Sequence, residues 1–384
     1  MVTFSNILLA LNLDDLAPCG ALYHRLLAEI HKDAASNPSE ELAQELDQIV
    51  AEAYANLATT SLHRWRRLHT DASIASALVS TPLDAIAKLD AAIIVSGAAG
   101  EGRLDLILDI IQRIQSNDLA APTISRFVDV GTSTTAHESE RSTISVLAAP
   151  PSLAAFQSRE HKHPFILRAY ARDWPALTDR PWASTDYLRS VAGPGRVVPV
   201  EVGRDYRTEA WSQKLVPFDT FLASLDAPSD APLYLAQHSL LMQFPALRAD
   251  MEVPDYVYAD LPRPPDCPPP ANDEQLVINA WLGPGGTISP AHTDPYFNTY
   301  VQVVGSKTVW MAPPRCGAGM YATGNTSRVD VFAAEHPEHP EFASQVEGFA
   351  MRATLGPGDL LYMPAGWWHA MRAESRSFSV SMWF

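Results

Sequence analysis

The hydrophobic period changes partway along this chain, and that change limits the architectures open to it. From about residue 15 to 115, apolar side chains recur three and four positions apart in GALYHRLLAEIHKDAA, EELAQELDQIVAEAYANLA, PLDAIAKLDAAIIVSGAA and GRLDLILDIIQRIQ. This is the spacing of amphipathic helices, and Ser39 before Glu40 and Glu41, like Thr81 before Pro82, supplies a helix start. Farther on, HPFILRAY, RVVPVEVG, PLYLAQHSL, LVINAWLG, NTYVQVVGSKTVWMAPP, DLLYMPAG and SFSVSMWF are short, β-branched or aromatic, and bounded by Gly, Pro or Asp. Many short strands separated by turns predict a sandwich or barrel, of which the double-stranded jelly roll is one form. The expected class is α+β: an all-α N-terminal domain over 1–130, a polar aperiodic linker over 131–144 and a β domain over 145–384. In SFSVSMWF, Phe378, Val380 and Met382 alternate with Ser377, Ser379 and Ser381, which reads as a strand with one buried face. PWASTDYLRSVAG and VPFDTFLASL read as short helices packed outside the β domain.

Composition narrows the function classes. A hydrophobic fraction of 47% with 19% charged residues excludes disordered and fibrous chains. Lys plus Arg total 28 against 44 Asp plus Glu, a net charge of −16, which argues against a nucleic-acid partner and favours a basic one. Three scattered cysteines, Cys19, Cys267 and Cys316, make neither a disulfide framework nor a zinc site. A reducing compartment, nuclear and/or cytoplasmic, is the expectation. The N-terminus lacks a basic leader region, and no apolar run approaches the roughly 20 residues of a membrane span. No helical hairpin follows the β domain to clamp a dimer, so a monomer is expected.

TISPAHTDPYFN, residues 287–298, carries His292 and Asp294 two positions apart, and a strand would send both to one face. Alone, such a pair reads as a surface turn. Downstream, LGPGDLLYMPAGWWHAMRA supplies His369 at the start of a strand, and a jelly roll brings distant strands side by side. Two imidazoles and a carboxylate on one face of an iron leave positions open for a co-substrate and dioxygen. His336 and His339, in a Pro- and Glu-rich loop, and His161 and His163, before a strand, read as surface residues.

Taken in order, HPFILRAYARDWPAL, VVPVEVGRDYRTEAWSQKL, LYLAQHSLLMQFPAL, INAWLGPGGTISPAHTDPYFNTYVQVVGSKTVWMAPP and GDLLYMPAGWWHAMRAESRSFSVSMWF resemble the JmjC-domain Fe(II)/2-oxoglutarate oxygenases over about 145–384. The nearest likeness is to the group of lysine-specific demethylase 8, also described as an arginyl hydroxylase. The resemblance implies a cupin-like double-stranded β-helix, with His292, Asp294 and His369 as iron ligands and catalytic residues. It implies that Lys307 pairs with the distal carboxylate of 2-oxoglutarate, with Tyr234, Ser289 and Asn298 as hydrogen-bonding neighbours. A buried dicarboxylate needs such a charge opposite its non-chelating end. Without that role, Lys307, just after Gly305-Ser306, reads as a solvated hairpin lysine. Glu201 and Trp281 are implied substrate contacts, and a carboxylate with an aromatic face suits a guanidinium. The expected activity is hydroxylation of a protein side chain, arginine first, with dioxygen as second co-substrate. N-methyl-lysine demethylation is the alternative; a tRNA-base hydroxylase and a non-catalytic jelly-roll binding module rank lower.

Overall fold

The computed structural model describes residues 16, 19–33, 40–58, 62–120, 143–205 and 211–384. Ser39 and residues 131–142 of the expected linker lie outside them. Two compact units are present: residues 1–123 with 192–198 and 215–219, and residues 124–191 with 199–214 and 220–384. Segments 192–198 and 215–219, assigned above to the β domain, therefore group with the helices.

In the helical unit, α1 (Ala21–Asp33), α2 (Glu40–Ala55), α3 (Leu62–Ala77), α4 (Pro82–Ser96) and α5 (Arg103–Asn117) pack against their neighbours in sequence. Thr81 caps α4 in extended backbone with Pro82 at the first helical position, and Gly97 closes it in the left-handed region. Helix α3 escaped the periodicity reading because every residue from Arg67 to Ala77 is buried. Its polar side chains remain inside because they find partners. Arg67 Nε and Arg103 Nε donate to Asp71 at 2.8 and 2.7 Å, and His69 and Thr70 share the Ser96 hydroxyl at 3.1 and 2.9 Å. Burial pushes the His69 pKa down to about 4, which keeps its ring neutral. Asp90 receives Arg196 Nη2 at 2.7 Å and the Val197 amide at 2.8 Å.

The β unit is built from β1 (Ser145–Val146), β2 (Phe165–Leu167), β3 (Val197–Val202), β4 (Ser212–Pro217) and β5 (Leu233–His238). It continues with β6 (Val277–Gly283), β7 (Ile288–Thr293), β8 (Asn298–Val304), β9 (Lys307–Ala312), β10 (Ala322–Thr323) and β11 (Thr326–Ser327). Last come β12 (Met351–Leu355), β13 (Leu360–Met363), β14 (Trp368–Ala373) and β15 (Ser377–Trp383). The division between units runs through β3 and β4. Nine strands form one sheet in the order β1-β2-β13-β8-β15-β6-β5-β3-β4, and six form the other, β10-β11-β7-β14-β9-β12. Strands remote in sequence are antiparallel neighbours: β13 lies between β2 and β8, β15 between β8 and β6, β14 between β7 and β9. This is the expected double-stranded jelly roll.

Val309 and Met311 of β9 meet Tyr300, Leu361, Met363 and Met371 between the sheets. Trp310 and Ala312 turn the other way, beneath an excursion carrying Cys316, Met320, Val329 and Phe342. With both faces covered, β9 reads as a continuous apolar run rather than an alternation. Phe378 stacks on Trp182 with ring centroids 4.5 Å apart, and its full burial contributes on the order of 2–3 kcal/mol. Two readings are corrected. Strand β15 is buried on both faces, with its serines turned into the interior. His161 is buried, its Nδ1 3.0 Å from the Phe156 carbonyl.

Gly305 sets the β8–β9 turn at φ +68, and a Cβ there would lie 1.9 Å from the Arg376 carbonyl oxygen. Gly305→Ala is expected to destabilise the protein by more than about 1 kcal/mol, seen as a lower midpoint in chemical denaturation. An unchanged midpoint would contradict this packing.

Candidate metal centre

Strands β7 and β14 pair with His292 directly opposite His369, and a register shift follows between His369 and Met371. The two imidazole centroids are 4.3 Å apart. Asp294 lies just beyond the end of β7, where Pro295 prevents the ladder from continuing. Its Oδ2 is 3.9 Å from His292 Nε2 and 3.6 Å from His369 Nε2. One donor atom from each residue falls within 4.8 Å of the others.

Backbone contacts fix this geometry. Thr293 donates its amide to the Asn325 carbonyl at 3.0 Å, and Asn325 Nδ2 returns a bond to the Thr293 carbonyl at 3.0 Å. The Gly366 amide donates to the Asp294 carbonyl at 2.8 Å, tying the two histidine-bearing segments together. Gly366 does so at φ +74, a conformation that costs a side-chain-bearing residue strain.

The hydrogen bonds also set the tautomers. His292 Nδ1 is 2.7 Å from the Pro290 carbonyl and His369 Nδ1 is 3.1 Å from the Trp367 carbonyl. A carbonyl only accepts, so each Nδ1 carries the proton and each Nε2 turns a bare lone pair toward Asp294. Burial holds the His369 pKa below its ordinary value, and neighbouring His292 adds to this while Asp294 opposes it. Two lone pairs and a carboxylate oxygen aimed at one point repel unless a cation lies among them. The donor set therefore fits a divalent metal bound on one face.

A cavity leads inward from the triad, and Tyr234, Ser289, Asn298, Lys307 and Trp281 all line it. Lys307 is no hairpin surface residue: it is 2% exposed and crosses from the six-stranded to the nine-stranded sheet. Its Nζ donates to the Tyr234 hydroxyl and to Ser379 Oγ, each at 3.2 Å. No carboxylate pairs with it among the described residues, and burial pushes its pKa down to about 7. Asn298 Oδ1 is buried with no hydrogen-bond partner. Trp281 is half-buried, its Nε1 donating to Ser381 Oγ at 3.0 Å. Glu201 does not line the cavity. It lies on β3 opposite Tyr234, half-buried, and burial raises its carboxyl pKa.

Sequence reasoning missed Tyr300, Ser381, Trp383, Met363 and Met371, which share this lining. A signal was available: the serines of β15 form a polar stripe on a strand whose other face is apolar. Without the fold, that stripe looked solvated.

The sequence pattern of the cupin-like domain family matches residues 154–384. Lysine-specific demethylase 8 of Danio rerio is 39% identical over 243 residues, 61% of this chain and 56% of that protein. Jumonji C domain-containing protein 5 of Drosophila melanogaster is 41% identical over 246 residues, 61% of this chain and 58% of that protein. A bifunctional peptidase and (3S)-lysyl hydroxylase of Homo sapiens is 26% identical over 257 residues, 58% of this chain and 77% of that protein. The matched region thus spans little more than half the length of the first two relatives.

Removing a donor leaves the other two unable to hold the ion alone. His369→Ala and Asp294→Ala are each expected to weaken Mn(II) binding by more than about 100-fold in calorimetric titration, since even outer partners of metal ligands account for 10–100-fold. Retained affinity in both variants would place the metal elsewhere.

Proposed function

This chain belongs to the cupin-like domain family, and we propose that it is an Fe(II)- and 2-oxoglutarate-dependent oxygenase hydroxylating a protein side chain, arginine foremost. The observation that carries the reading is one cavity with a bare His-Asp-His donor set at one end and a buried, carboxylate-free lysine at the other. That pairing fits a small diacid held between a metal and a cation. His292, Asp294 and His369 would hold the iron, and Lys307 with Tyr234 would hold the distal carboxylate. Ser289 and the unpartnered Asn298 Oδ1 complete the polar lining. With iron bound, dioxygen oxidatively decarboxylates 2-oxoglutarate to succinate and carbon dioxide, and one oxygen atom enters a substrate C–H bond.

The chain's own part is placement. The proton on each Nδ1 keeps both Nε2 atoms available without a proton transfer. Two of the three N–H donors of Lys307 are used within the protein, and the charge of the third makes a carboxylate bond worth about 1.5–3 kcal/mol. Met363, Met371 and Trp383 surround the path with apolar surface, which limits water at the reacting centre. On the strand beside Tyr234, Glu201 has no basic partner among the described residues, and its half-buried carboxylate favours a cation. Trp281 offers an aromatic face, and a guanidinium can bond to the first while lying over the second. The net charge of −16 favours approach by a basic protein.

The name of the Danio rerio relative supports a second reading, N-methyl-lysine demethylation. The same oxygen insertion at an N-methyl carbon would release formaldehyde, so products separate the two. Purified protein with Fe(II), 2-oxoglutarate and arginine- or methyl-lysine-bearing peptides is expected to release succinate and to add one oxygen to arginine. Formaldehyde from methyl-lysine with unchanged arginine would reverse the ranking, and no succinate with any peptide would sink both.

Lys307→Met is expected to raise the KM for 2-oxoglutarate by about 10- to 100-fold. The pH dependence has a defined sign. Lys307 loses its proton above about pH 7 in the free protein, whereas a bound carboxylate favours the cation. Affinity for 2-oxoglutarate is therefore highest below that pH and falls as pH rises from 7 to 9. Lys307→Arg, permanently charged, is expected to flatten this slope; an equal slope in both proteins would assign it to another group.

A further inference from the structure

We infer that Tyr300 is the floor of the co-substrate pocket and sets the length of the 2-oxo dicarboxylate accepted, an inference resting on the iron and 2-oxoglutarate reading above. Asn298, Tyr300 and Gln302 share one face of β8, and Trp383, Ser381 and Gln302's partner Ser379 stand opposite them in turn on β15. Asn298 marks the outer end, shortly after Asp294. Lys307 marks the inner end: it pairs with Ala373, beyond His369 and Met371 along β14. The cavity is lined from the triad past Met371 to Lys307, and Tyr300 belongs to that lining.

The phenol is anchored away from the metal. Its hydroxyl donates to Ser379 Oγ at 2.6 Å and lies 3.3 Å from Gln302 Oε1. The same Ser379 Oγ receives Lys307 Nζ at 3.2 Å, so one serine fixes both the cation and the ring beside it. Lys307 Nζ is 5.9 Å from the Tyr300 ring centroid. Beneath this layer the interior is closed: Gln302 Nε2 donates to Ser377 Oγ at 2.9 Å and to the Val304 carbonyl at 2.7 Å. Gln302 and Ser379 are fully buried, and neither lines the cavity.

A diacid whose far carboxylate meets Lys307 therefore ends against the phenol. One more methylene drives that carboxylate into the ring or draws the 2-oxo acid end back from the triad. Discrimination of about 10- to 100-fold per methylene is the usual range for such a wall. Tyr300→Leu removes the far half of the ring and opens space above Ser379. Tyr300→Met fills part of that space with a flexible chain and disturbs packing less.

The test is anaerobic calorimetry of the whole chain with Mn(II), comparing 2-oxoglutarate with 2-oxoadipate. Wild type is expected to favour the five-carbon acid by at least tenfold. Tyr300→Leu is expected to reduce that preference at least tenfold, and Tyr300→Met to reduce it by a smaller factor. Mn(II) binding reports that each variant is folded. A wild-type protein without preference, or the wild-type preference in whichever variant still binds Mn(II), overturns the role of Tyr300. If wild type binds Mn(II) and neither acid, the co-substrate reading of the pocket itself falls.

Discussion

The register between β7 and β14 is the constraint on which the site depends. Side chains alternate across a strand, so a slip of one residue would turn His292 or His369 out of the cavity and exchange Met371 with Trp368 and Ala370 between the two apolar clusters that β14 separates. The register is held from several directions. Met371 pairs with Ser289 and Arg372 with Ile288 beyond the bulge, β9 flanks β14 on its other edge, and the Gly366 amide fastens the loop before His369 to Asp294. Packing on both faces of β14 and these hydrogen-bonded ends therefore select the same register.

Lys307 presents the complementary constraint. An ammonium held between two sheets is costly unless its donors are occupied, and here only hydroxyls occupy them, from Tyr234 and Ser379. Dipoles satisfy the hydrogen bonds without neutralising the charge, which is why burial lowers its pKa as far as about 7. The same arrangement makes the position receptive to an anion. Burial and receptivity to an anion thus pull on one side chain in opposite directions, and pairing of Lys307 with Leu355 of β12 and Ala373 of β14 fixes its backbone between them.

Burial on every side hides function from sequence patterns in both units. Helix α3 shows no dominant apolar stripe because its Arg67, His69 and Asp71 are paired inside the helical unit. Strand β15 alternates serine with apolar residues, the usual mark of a half-exposed strand, yet Ser377, Ser379 and Ser381 face a polar interior. In each case the polar residue is internal because a partner from a remote segment meets it, and such a partner leaves no trace in local periodicity.

The sequence by itself determined the change from helical to β period, the many short strands of the second half, and the H-x-D and later His that a metal centre requires. Those features follow from local spacing and from residue chemistry, which a chain carries before it folds. Only the tertiary structure decided that His292 faces His369, that Lys307 crosses the sandwich instead of entering solvent, and that Glu201 stands outside the cavity on a neighbouring strand. It also added Tyr300 and Ser381 of β15 to the lining of the cavity. The reason is that pairing across sheets depends on register and twist summed over many residues, so a side chain's surroundings are set by strands far away in the chain.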